Sequence, residues 1–566
     1  MLDRARGTAG TAVAAAVVAS VIASPARTLG QASQRARDPS PAAIDSVFAQ
    51  YDHTNTPGCA IGVYREGQIV YSRGYGMAEL NQGIAITPQT VFYIGSTSKQ
   101  FTAFAIALLA EQGRISLDDP VRKYVPELPA VADRVTIRQL IHHTSGLRDY
   151  LNLWGVSGRT FADEVPEELV LDLLAKQPAL EFESGSRWAY SNSGYFLLAV
   201  ILKRASGKTL REFAQTEMFE PLGMAHTHFH DDNTMIVPHR AEGYQPSANG
   251  GFQIVRTSYA LVGDGGLLTT IDDMARWDAN AFANRLGTGG QRLIELVRTP
   301  GRLNDGTRLE YGFGLFVGTY RGLPTIEHGG SFIGFRADLL QFPSERLSFA
   351  VLCNDYTATP DRLAQRLADL YLADRMEVAA GLQSSKVVTV SQPVLDRWVG
   401  RYELVPGWLA TIRRDDDGLT LALGWSNPSK LTALADSVFV ASGFPDTLMF
   451  GQKPNGTVTV MVKALRMTEP APRLPAPPVL TTTKLAEYAG RYTSAELDTW
   501  FTFQVRKDTL RFRPRYGPSI WLEPILPDVF TGQGRMTFER DAKGRVTGFR
   551  WSTAALTGIR FVRDSR

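Results

Sequence analysis

The chain has 566 residues, more than one hydrophobic core usually serves, so its length predicts about two to four domains. Hydrophobic residues make up 44% and charged residues 21% of the chain, which is typical of a globular protein. The 60 basic and 57 acidic residues leave a formal net charge of +3. This near balance, without a long basic run, argues against a nucleic-acid-binding protein.

The first 26 residues have the pattern of a secretory signal peptide. Arg4 and Arg6 precede a short segment rich in alanine and valine (residues 11–23), and residues 24–26 offer a small-x-small cleavage site. The apolar segment is too short to span a bilayer comfortably. We therefore expect a signal peptide over 1–26, a disordered leader over 27–40, and a periplasmic or secreted mature chain without an integral membrane segment.

The next elements in chain order alternate between strands at the flanks and helices in the middle. The pattern predicts a hairpin at 59–73 and a long buried helix after Ser96, at 101–113. Further helices are predicted at 135–147, 165–178, 193–206 and 271–297, and three strands follow at 323–331, 334–342 and 347–353. This order predicts an α/β (α+β) domain over 41–375, with a sheet that the two ends of the domain complete.

From about residue 385 the chain becomes rich in short strands separated by glycine and aspartate turns. The segment LDRWVGRY (395–402) recurs as LAEYAGRY (485–492), and a proline-rich stretch lies between the copies. The repeat predicts two small antiparallel β-barrel or sandwich modules, over 385–468 and 481–566, joined by a linker at 469–480. One larger β domain is the alternative, which the proline-rich break disfavours.

The two cysteines, Cys59 and Cys353, both lie in apolar, strand-like runs. Export would permit a disulfide bond, but buried thiols are also common in protein cores. Neither cysteine has a histidine close to it in sequence. We expect two buried thiols on neighbouring strands and no cysteine nucleophile.

The segment Ser96-Thr97-Ser98-Lys99 lies at the start of the long apolar helix. A serine hydroxyl needs a base within hydrogen-bond reach to act as a nucleophile, and residues three apart are neighbours on one helix face. A buried lysine gives up its proton more readily than an exposed one. The spacing therefore makes Ser96 a candidate nucleophile and Lys99 its candidate base, whereas the ordinary alternative is a serine-capped helix with a solvated lysine.

Two further motifs follow in order along the chain. Tyr190-Ser191-Asn192 precedes an apolar helix, where a tyrosine can relay a proton and an asparagine can orient a lysine or a substrate carbonyl. His328-Gly329-Gly330-Ser331 lies on a predicted strand, and its glycines would let a substrate backbone approach closely. Alone, each motif has an ordinary structural explanation, a turn with a helix cap or a hydrogen-bonded histidine.

Together, the three motifs resemble the penicillin-binding protein and serine β-lactamase superfamily over residues 41–375. The tyrosine in the second motif resembles the class C and esterase or D-aminopeptidase branch, and the tail resembles the two β-barrel domains of D-aminopeptidases. The resemblance implies an antiparallel sheet flanked by helices and acyl transfer without a cofactor or metal.

The resemblance also implies a role for each motif. Ser96 would attack the carbonyl, and Lys99 and Tyr190 would share the work of the base. The backbone N–H groups of Ser96 and Ser331 would form the oxyanion hole. The remaining residues would contact the substrate, namely Asn192, His328, Gly329 and Gly330.

His328 departs from the pattern of many penicillin-recognising members, which carry a lysine there. Histidine is largely neutral near pH 7 and is a poor fixed cation for a substrate carboxylate. The sequence therefore favours an exported serine hydrolase of a small ester, amide or D-amino-acid peptide. A D-Ala-D-Ala carboxypeptidase or β-lactamase is the alternative, and the β modules are expected to limit substrate size. The oligomeric state stays open.

Two further alternatives belong to other functional classes. His226, His228 and His230 alternate along a strand-like run and could bind zinc with His239 or Asp264 as a further ligand. A polar surface loop is the simpler interpretation of that run. A non-catalytic protein that binds peptidoglycan is the last alternative, which the intact Ser96, Lys99 and Tyr190 disfavour.

Overall fold

The computed structural model describes residues 38–565, apart from 163, 378–386, 417, 425, 442–446, 463–464, 466 and 468. The predicted signal peptide lies outside the described residues, as does the predicted leader up to residue 37. Ser40, predicted to be the last leader residue, instead caps the first helix, where its side chain accepts a hydrogen bond from the Ala43 N–H at 3.3 Å.

The N-terminal domain contains eleven α-helices in its described residues, together with short 3₁₀ and π turns. Their bounds are α1 Pro41–Phe48, α2 Lys99–Glu111, α3 Ile137–Ile141, α4 Tyr150–Val156, α5 Glu167–Ala175, α6 Asn192–Ser206, α7 Leu210–Ala214, α8 Glu220–Leu222, α9 Ile271–Phe282, α10 Gln291–Arg298 and α11 Pro360–Tyr371. The single helical segment predicted over 271–297 is wrong, because a glycine-rich stretch at 283–290 separates α9 from α10.

The strands of this domain are β1 Cys59–Arg65, β2 Gln68–Tyr75, β3 Met77–Glu79, β4 Ile84–Ala85, β5 Phe92–Tyr93, β6 His228–Phe229, β7 Tyr244–Pro246, β8 Phe252–Ile254, β9 Leu267–Thr269, β10 Phe316–Tyr320, β11 Leu323–Phe332, β12 Phe335–Phe342 and β13 Leu347–Cys353. The main sheet is antiparallel, with the order β10-β11-β12-β13-β1-β2. Pairing of β1 with β13 joins the two ends of the domain, as the sequence predicts.

Helices cover both faces of the main sheet. Apolar side chains of α1 and α11 pack on one face, in a core that includes Phe48, Phe349 and Leu367. The other face carries the larger helical core, at whose centre lies α2, buried from Lys99 to Leu109. This buried helix begins three residues after Ser96, which fixes the position of that serine relative to the sheet.

The prediction of two separate thiols is wrong, because Cys59 and Cys353 form a disulfide bond. The register of β1 and β13 places the two cysteines directly opposite each other, with their Cα atoms 4.0 Å apart. The sequence did not reveal this register, which depends on how the two ends of the domain pair. The bond fastens the strands that complete the sheet.

Two barrel-shaped antiparallel sheets follow, as the repeat predicts. The first contains α12 Gln392–Trp398 and closes through eight strands, β14 Gly400–Val405, β15 Trp408–Asp415, β16 Gly418–Leu423, β17 Ser429–Ala435, β18 Val438–Ala441, β19 Thr447–Gln452, β20 Val458–Val462 and β21 Ala471–Leu474. Strand β21 lies within the predicted proline-rich linker, where it pairs with β14 and β20. The prediction of a linker over 469–480 is therefore partly wrong, because the first half of this segment forms the strand that closes the barrel.

The second barrel-shaped sheet has nine strands and is nearly closed. It comprises α13 Thr482–Ala486 and the strands β22 Gly490–Ser494, β23 Thr499–Arg506, β24 Thr509–Pro514, β25 Ile520–Trp521, β26 Glu523–Leu526, β27 Val529–Thr531, β28 Arg535–Arg540, β29 Val546–Ser552 and β30 Ile559–Arg563. In each barrel the tyrosine that ends the repeat donates a hydrogen bond to a carbonyl four residues earlier, Tyr402 to Trp398 and Tyr492 to Tyr488. The repeat is therefore the same structural corner in both barrels.

Within the part of the chain that the structure describes, no helix has both the length and the apolar character needed to cross a membrane.

Candidate active site

Ser96 lies in a short 3₁₀ turn, Gly95–Ser98, that runs directly into α2 at Lys99. The Thr97 N–H donates to the Ile94 carbonyl, and the Ser98 hydroxyl donates to the Gly95 carbonyl at 2.6 Å. These bonds lock the turn locally. The Ser96 side chain, held at the helix start, lies beside Lys99 as the three-residue spacing predicts.

Lys99 is fully buried, with its Nζ among three oxygen atoms. It lies 3.0 Å from Ser96 Oγ, 2.9 Å from Asn192 Oδ1 and 2.5 Å from the Asp264 carbonyl oxygen. The Tyr190 ring lies 4.9 Å from the same nitrogen. The structure thus brings Ser96, Lys99, Tyr190 and Asn192 together around one amine.

The side-chain amide of Asn192 is oriented by Asp149, a buried carboxylate that the sequence analysis missed. Asp149 Oδ2 accepts from the Asn192 backbone N–H at 2.5 Å and from its Nδ2 at 3.0 Å. With Nδ2 committed to the carboxylate, Oδ1 must point at Lys99. Asp149 also caps α4 by accepting from the Asn152 N–H at 3.0 Å. One carboxylate therefore holds both the start of α4 and Asn192 at the start of α6.

His143 supports the second motif from behind and was also missed as a site residue. Its ring packs 4.2 Å from the Tyr190 ring, and its Nδ1 accepts from the Ser191 N–H at 3.1 Å. Burial, and then the charge of Lys99, lowers the pKa of His143 well below its usual value. A neutral imidazole with an acceptor at Nδ1 therefore holds Tyr190 and Ser191 in place.

The third motif lies where β11 runs past the Ser96 turn. Strand β10 pairs with β11 only as far as Glu327, so the edge of β11 from His328 onward faces the turn. The Thr97 hydroxyl donates to the His328 carbonyl at 3.0 Å. A Cβ added to Gly330 would lie 1.9 Å from the Ile94 oxygen, so glycine is required there by the turn itself. The expected reason, close approach of a substrate, does not explain Gly330.

His328 is buried and forms hydrogen bonds through both ring nitrogens. Nδ1 lies 2.7 Å from the Gly329 carbonyl, and Nε2 lies 3.1 Å from the Tyr311 hydroxyl. Since a carbonyl only accepts, Nδ1 carries the proton and Nε2 accepts from Tyr311. Burial, and then the charge of Lys99, lowers the pKa of His328 to about 3. His328 is therefore neutral near pH 7 and offers no cation to a carboxylate.

The histidine-rich run does not form a metal site in the structure. His228 Nε2 lies 3.3 Å from His230 Nδ1, while the Arg240 guanidinium donates to His230 Nε2 at 3.1 Å. A cation thus occupies the nitrogen that a metal would need. Asp264, the proposed further ligand, instead accepts from the Tyr150 hydroxyl at 2.8 Å beside Lys99. Among the described residues, no three His, Cys, Asp or Glu side chains converge to hold a metal ion.

Short sequence signals accompany the site residues that were missed. His143 begins the HTSGL segment, Asp149 lies two residues after it, and Tyr311 begins the YGFG segment; both segments resemble the superfamily. Sequence spacing gives no reason to join these segments to Asn192 or His328, because the contacts cross different elements. The contacts of His143, Asp149 and Tyr311 could therefore be identified only from the tertiary structure.

Comparison with known proteins agrees with this geometry. A family model described as "Beta-lactamase" matches residues 44–374. A D-aminopeptidase of Cereibacter sphaeroides is 28% identical over 515 residues, which cover 89% of this chain and 93% of that protein. A D-aminopeptidase of Brucella anthropi is 26% identical over 533 residues, covering 90% and 95% respectively.

Among solved structures, the octameric penicillin-binding protein homologue from Pyrococcus abyssi superposes with a TM-score of 0.53 at 25% identity. It covers 76% of this chain and 98% of its own. The family model spans more than half of the chain, and its motifs meet around Ser96 and Lys99. The protein therefore belongs to the β-lactamase family and is a serine hydrolase.

Proposed function

We propose that the protein is an exported serine hydrolase that acts through an acyl-enzyme on D-amino-acid amides and short D-amino-acid peptides. One observation carries the proposal: Ser96 Oγ lies 3.0 Å from Lys99 Nζ in a chain that two D-aminopeptidases match over 89% and 90% of its length. The N-terminal segment with signal-peptide character supports the export of the chain.

Lys99 is placed to accept the Ser96 proton when its amine is neutral. A neutral amine has two N–H groups and one lone pair, whereas an ammonium has three N–H groups. The two N–H groups would donate to Asn192 Oδ1 and the Asp264 carbonyl, which lie 2.9 and 2.5 Å away. The lone pair would then face the Ser96 hydroxyl. The surrounding oxygens thus support Lys99 as the base.

In the first step Ser96 Oγ would form a bond to the substrate carbonyl carbon while its proton moves to Lys99. The carbonyl π electrons would move onto oxygen, where the N–H groups of Ser96 and Ser331 would stabilise the charge. Tyr190, beside Lys99, would relay the proton held by Lys99 to the departing amine as the C–N bond breaks, which returns Lys99 to its neutral form. Water would then attack the acyl-enzyme by the reverse proton path and release the acid.

A role as β-lactamase or D-Ala-D-Ala carboxypeptidase finds less support. Both substrates present a carboxylate next to the reacting group, and a fixed cation would be expected to meet it. His328, at the corresponding position of β11, is neutral near pH 7. The environment of His328 thus favours substrates without a carboxylate next to the reacting group. Amino-acid amides lack that carboxylate, and so do peptides in which further residues follow the bond that is cleaved.

Hydrolysis of four chromogenic substrates tests the proposal: D-alanine p-nitroanilide, its L enantiomer, a short-chain p-nitrophenyl ester and a cephalosporin. We expect D-anilide turnover to exceed L-anilide turnover clearly, with little or no cephalosporin hydrolysis. Faster turnover of the cephalosporin than of the D-anilide would overturn the substrate assignment. Ester turnover alone would favour an esterase.

Two variants test the residue roles in the same assay. Ser96→Ala should abolish turnover while leaving the melting temperature close to that of the parent, because it removes only the nucleophilic oxygen. Lys99→Ala should be nearly as damaging. Retained turnover in a folded Ser96→Ala protein would end the acyl-enzyme proposal, and normal turnover in Lys99→Ala would leave Tyr190 as the base.

A further inference from the structure

The outer face of the second barrel carries a row of arginines on two neighbouring strands. Trp500, Thr502 and Gln504 alternate outward on β23, and the register places Arg515, Arg513 and Arg511 of the β24 segment opposite them. With Arg506 at the end of β23, these side chains line a groove of about 620 Å³. We call this surface, lined by Trp500, Thr502, Gln504, Arg506, Arg511, Arg513 and Arg515, the arginine groove.

The charge of the arginine groove is not neutralised by the protein. None of its four arginines has a carboxylate within 4.0 Å among the described residues, and no acidic residue lines the groove. Arginines elsewhere in the same barrel are paired, such as Arg540 with Asp528 and Arg550 with Glu539. Like charges side by side repel one another, so the groove is complementary to an anion.

Flat aromatic faces accompany the charges. The Arg511 guanidinium stacks 3.4 Å from the ring centroid of Trp521, which is 44% exposed. The Nε of Arg511 is covered by this contact and has no hydrogen-bond partner among the described residues. Arg491 lies 4.4 Å from the Trp500 ring centroid. Stacking holds the guanidinium plane fixed while its outer N–H groups stay available to a carboxylate or phosphate.

The spacing of the cations suits an extended polymer. Residues on one face of a strand recur every ~7 Å, so Arg511, Arg513 and Arg515 form a regular row. A polysaccharide whose sugar units carry carboxylate or phosphate groups matches both features, since its rings pack on tryptophan and its anions meet guanidinium groups. The near-balanced charge of the whole chain, with a formal net charge of +3, favours such a polysaccharide over a nucleic acid, whose partners are typically strongly basic.

The groove ends at the hydrolase domain. A Cβ added to Gly158 would lie 2.4 Å from the Tyr516 carbonyl oxygen, so the two backbones touch directly beyond Arg515. Arg159 of the N-terminal domain lies 5.3 Å from the Tyr516 ring centroid and 5.0 Å from that of Trp154. A polymer in the groove would therefore be held next to the domain that carries Ser96.

We propose that the arginine groove binds an anionic polysaccharide and tethers the hydrolase to it. The chemistry of recognition is a carboxylate or phosphate on each guanidinium and a sugar ring against Trp500 of the groove or Trp521 beside it. This binding is separate from hydrolysis, because no residue of the groove contributes to the site around Ser96.

The test measures binding of the full chain to polygalacturonate, a phosphorylated mannan, neutral dextran and single-stranded poly(dT), by tryptophan fluorescence and calorimetry. We expect one or both anionic polysaccharides to bind, with an affinity that falls steeply from ~50 to ~300 mM salt, while dextran does not. Tighter binding of polygalacturonate would identify carboxylate as the anion, and tighter binding of the phosphorylated mannan would identify phosphate. Failure of both to bind would overturn the proposal, as would tighter binding of poly(dT).

Matched variants distinguish binding in the arginine groove from a general effect of positive charge on the barrel. R511Q/R513Q/R515Q should weaken binding by at least about tenfold, which corresponds to one lost charge-assisted hydrogen bond. The control R545Q/R550Q/R560Q removes the same charge from β29, β30 and the turn before β29 in that barrel, and it should bind normally. Equal losses in both variants would show a non-specific charge effect and reject the groove.

Two further variants keep the test decisive. The exposed single variant Arg513→Gln serves if the triple variant unfolds, and it should still weaken binding. Trp521→Ala should also weaken binding if sugar rings stack there; unchanged binding would reject the sugar component. Hydrolysis of D-alanine p-nitroanilide should stay unchanged in every variant, so failure of the proposed activity and failure of this binding are distinguishable.

Discussion

Lys99 is held by oxygens that come from three separate parts of the chain. Ser96 is its neighbour on the helix start, Asn192 begins α6, and the Asp264 carbonyl belongs to a loop before β9. A buried amine in such a setting has its N–H groups directed by the protein rather than by water. The direction of its remaining lone pair, on which the proposed role as a base rests, therefore depends on residues that orient those oxygens.

Asp149→Ala tests this dependence at the level of one residue. Without the carboxylate, the Asn192 amide can rotate and present Nδ2 to Lys99, so we expect kcat to fall ~10- to 100-fold. KM should change much less. The measurement is steady-state hydrolysis of D-alanine p-nitroanilide together with the melting temperature.

Asn152→Ala is the matched control, because it removes one side-chain bond to the same carboxylate, Nδ2 to Oδ1 at 2.9 Å, but leaves Asn192 held. It should keep nearly full kcat. A fall in kcat that is equal in both variants would assign the loss to α4 rather than to the orientation of Asn192.

Buried histidines should make the protein acid-labile. Burial lowers the pKa of His142 to about 4, whereas a histidine in the unfolded chain titrates near 6.5. Between these values the unfolded state binds a proton that the folded state does not, so the free energy of unfolding falls as the pH drops below 6.5. Asp278, whose pKa is raised to about 6 by burial, acts in the opposite direction over the same range.

His142→Gln isolates the histidine contribution to acid lability. Between pH 7 and pH 5 the free energy of unfolding should fall less in this variant than in the parent, by up to ~1.4 kcal/mol per pH unit. Thermal melts at the two pH values provide the measurement. His53→Gln, at an exposed position, is the control and should follow the parent. The same pH dependence in His142→Gln and parent would contradict this account.

At the scale of elements, the site depends on the contact of the Gly95–Ser98 turn with β11. The two glycines of the third motif differ sharply in their surroundings. A Cβ on Gly330 would meet the Ile94 oxygen at 1.9 Å, whereas the nearest atom to a Cβ on Gly329 is Asp338 Oδ1 at 3.6 Å. One glycine is therefore required by packing and its neighbour is not.

Gly330→Ala should push the turn away from β11 and displace Ser96, the proposed nucleophile. We expect a loss of ~1–3 kcal/mol in stability, the usual effect of overpacking, and a large loss of turnover. Gly329→Ala should melt within a degree or two of the parent, and thermal melts of the two variants provide the comparison. Equal destabilisation would show that the close contact with Ile94 is not the reason for glycine.

At the scale of the whole molecule, Arg148 joins the N-terminal domain to the second barrel. Its guanidinium is buried and donates to Glu181 and Gln177 at 3.0 Å, to Glu496 at 2.6 Å and to the Thr557 carbonyl at 2.9 Å. The next residue is Asp149. The second barrel is thus anchored one residue from the group that orients Asn192.

Arg148→Met should leave Glu181 and Glu496 buried without their cation, at a cost of about 3 kcal/mol or more in stability. If the second barrel limits substrate size, loosening it should raise kcat/KM for longer D-peptides relative to D-alanine p-nitroanilide. The control is Arg535→Met, which breaks an ion pair with Glu403 between the two barrels. An unchanged ratio in Arg148→Met would reject the size-limiting role.

The sequence by itself determined the features that depend on neighbours along the chain. The three-residue spacing of Ser96 and Lys99 and the repeat ending at Tyr402 and Tyr492 both rest on local geometry. Such patterns predict the fold class, the two barrels and the first members of the site, because helix and strand periodicity fix which residues are adjacent.

Only the tertiary structure decided the contacts between distant segments. Asp149 meets Asn192 across 43 residues and Arg148 meets Glu496 across 348, while pairing of β1 with β13 joins Cys59 to Cys353. No spacing rule selects these partners, since each depends on how whole elements pack and in which register strands pair. The sequence therefore predicted that Ser96 and Lys99 are neighbours, and packing supplied the residues that orient them.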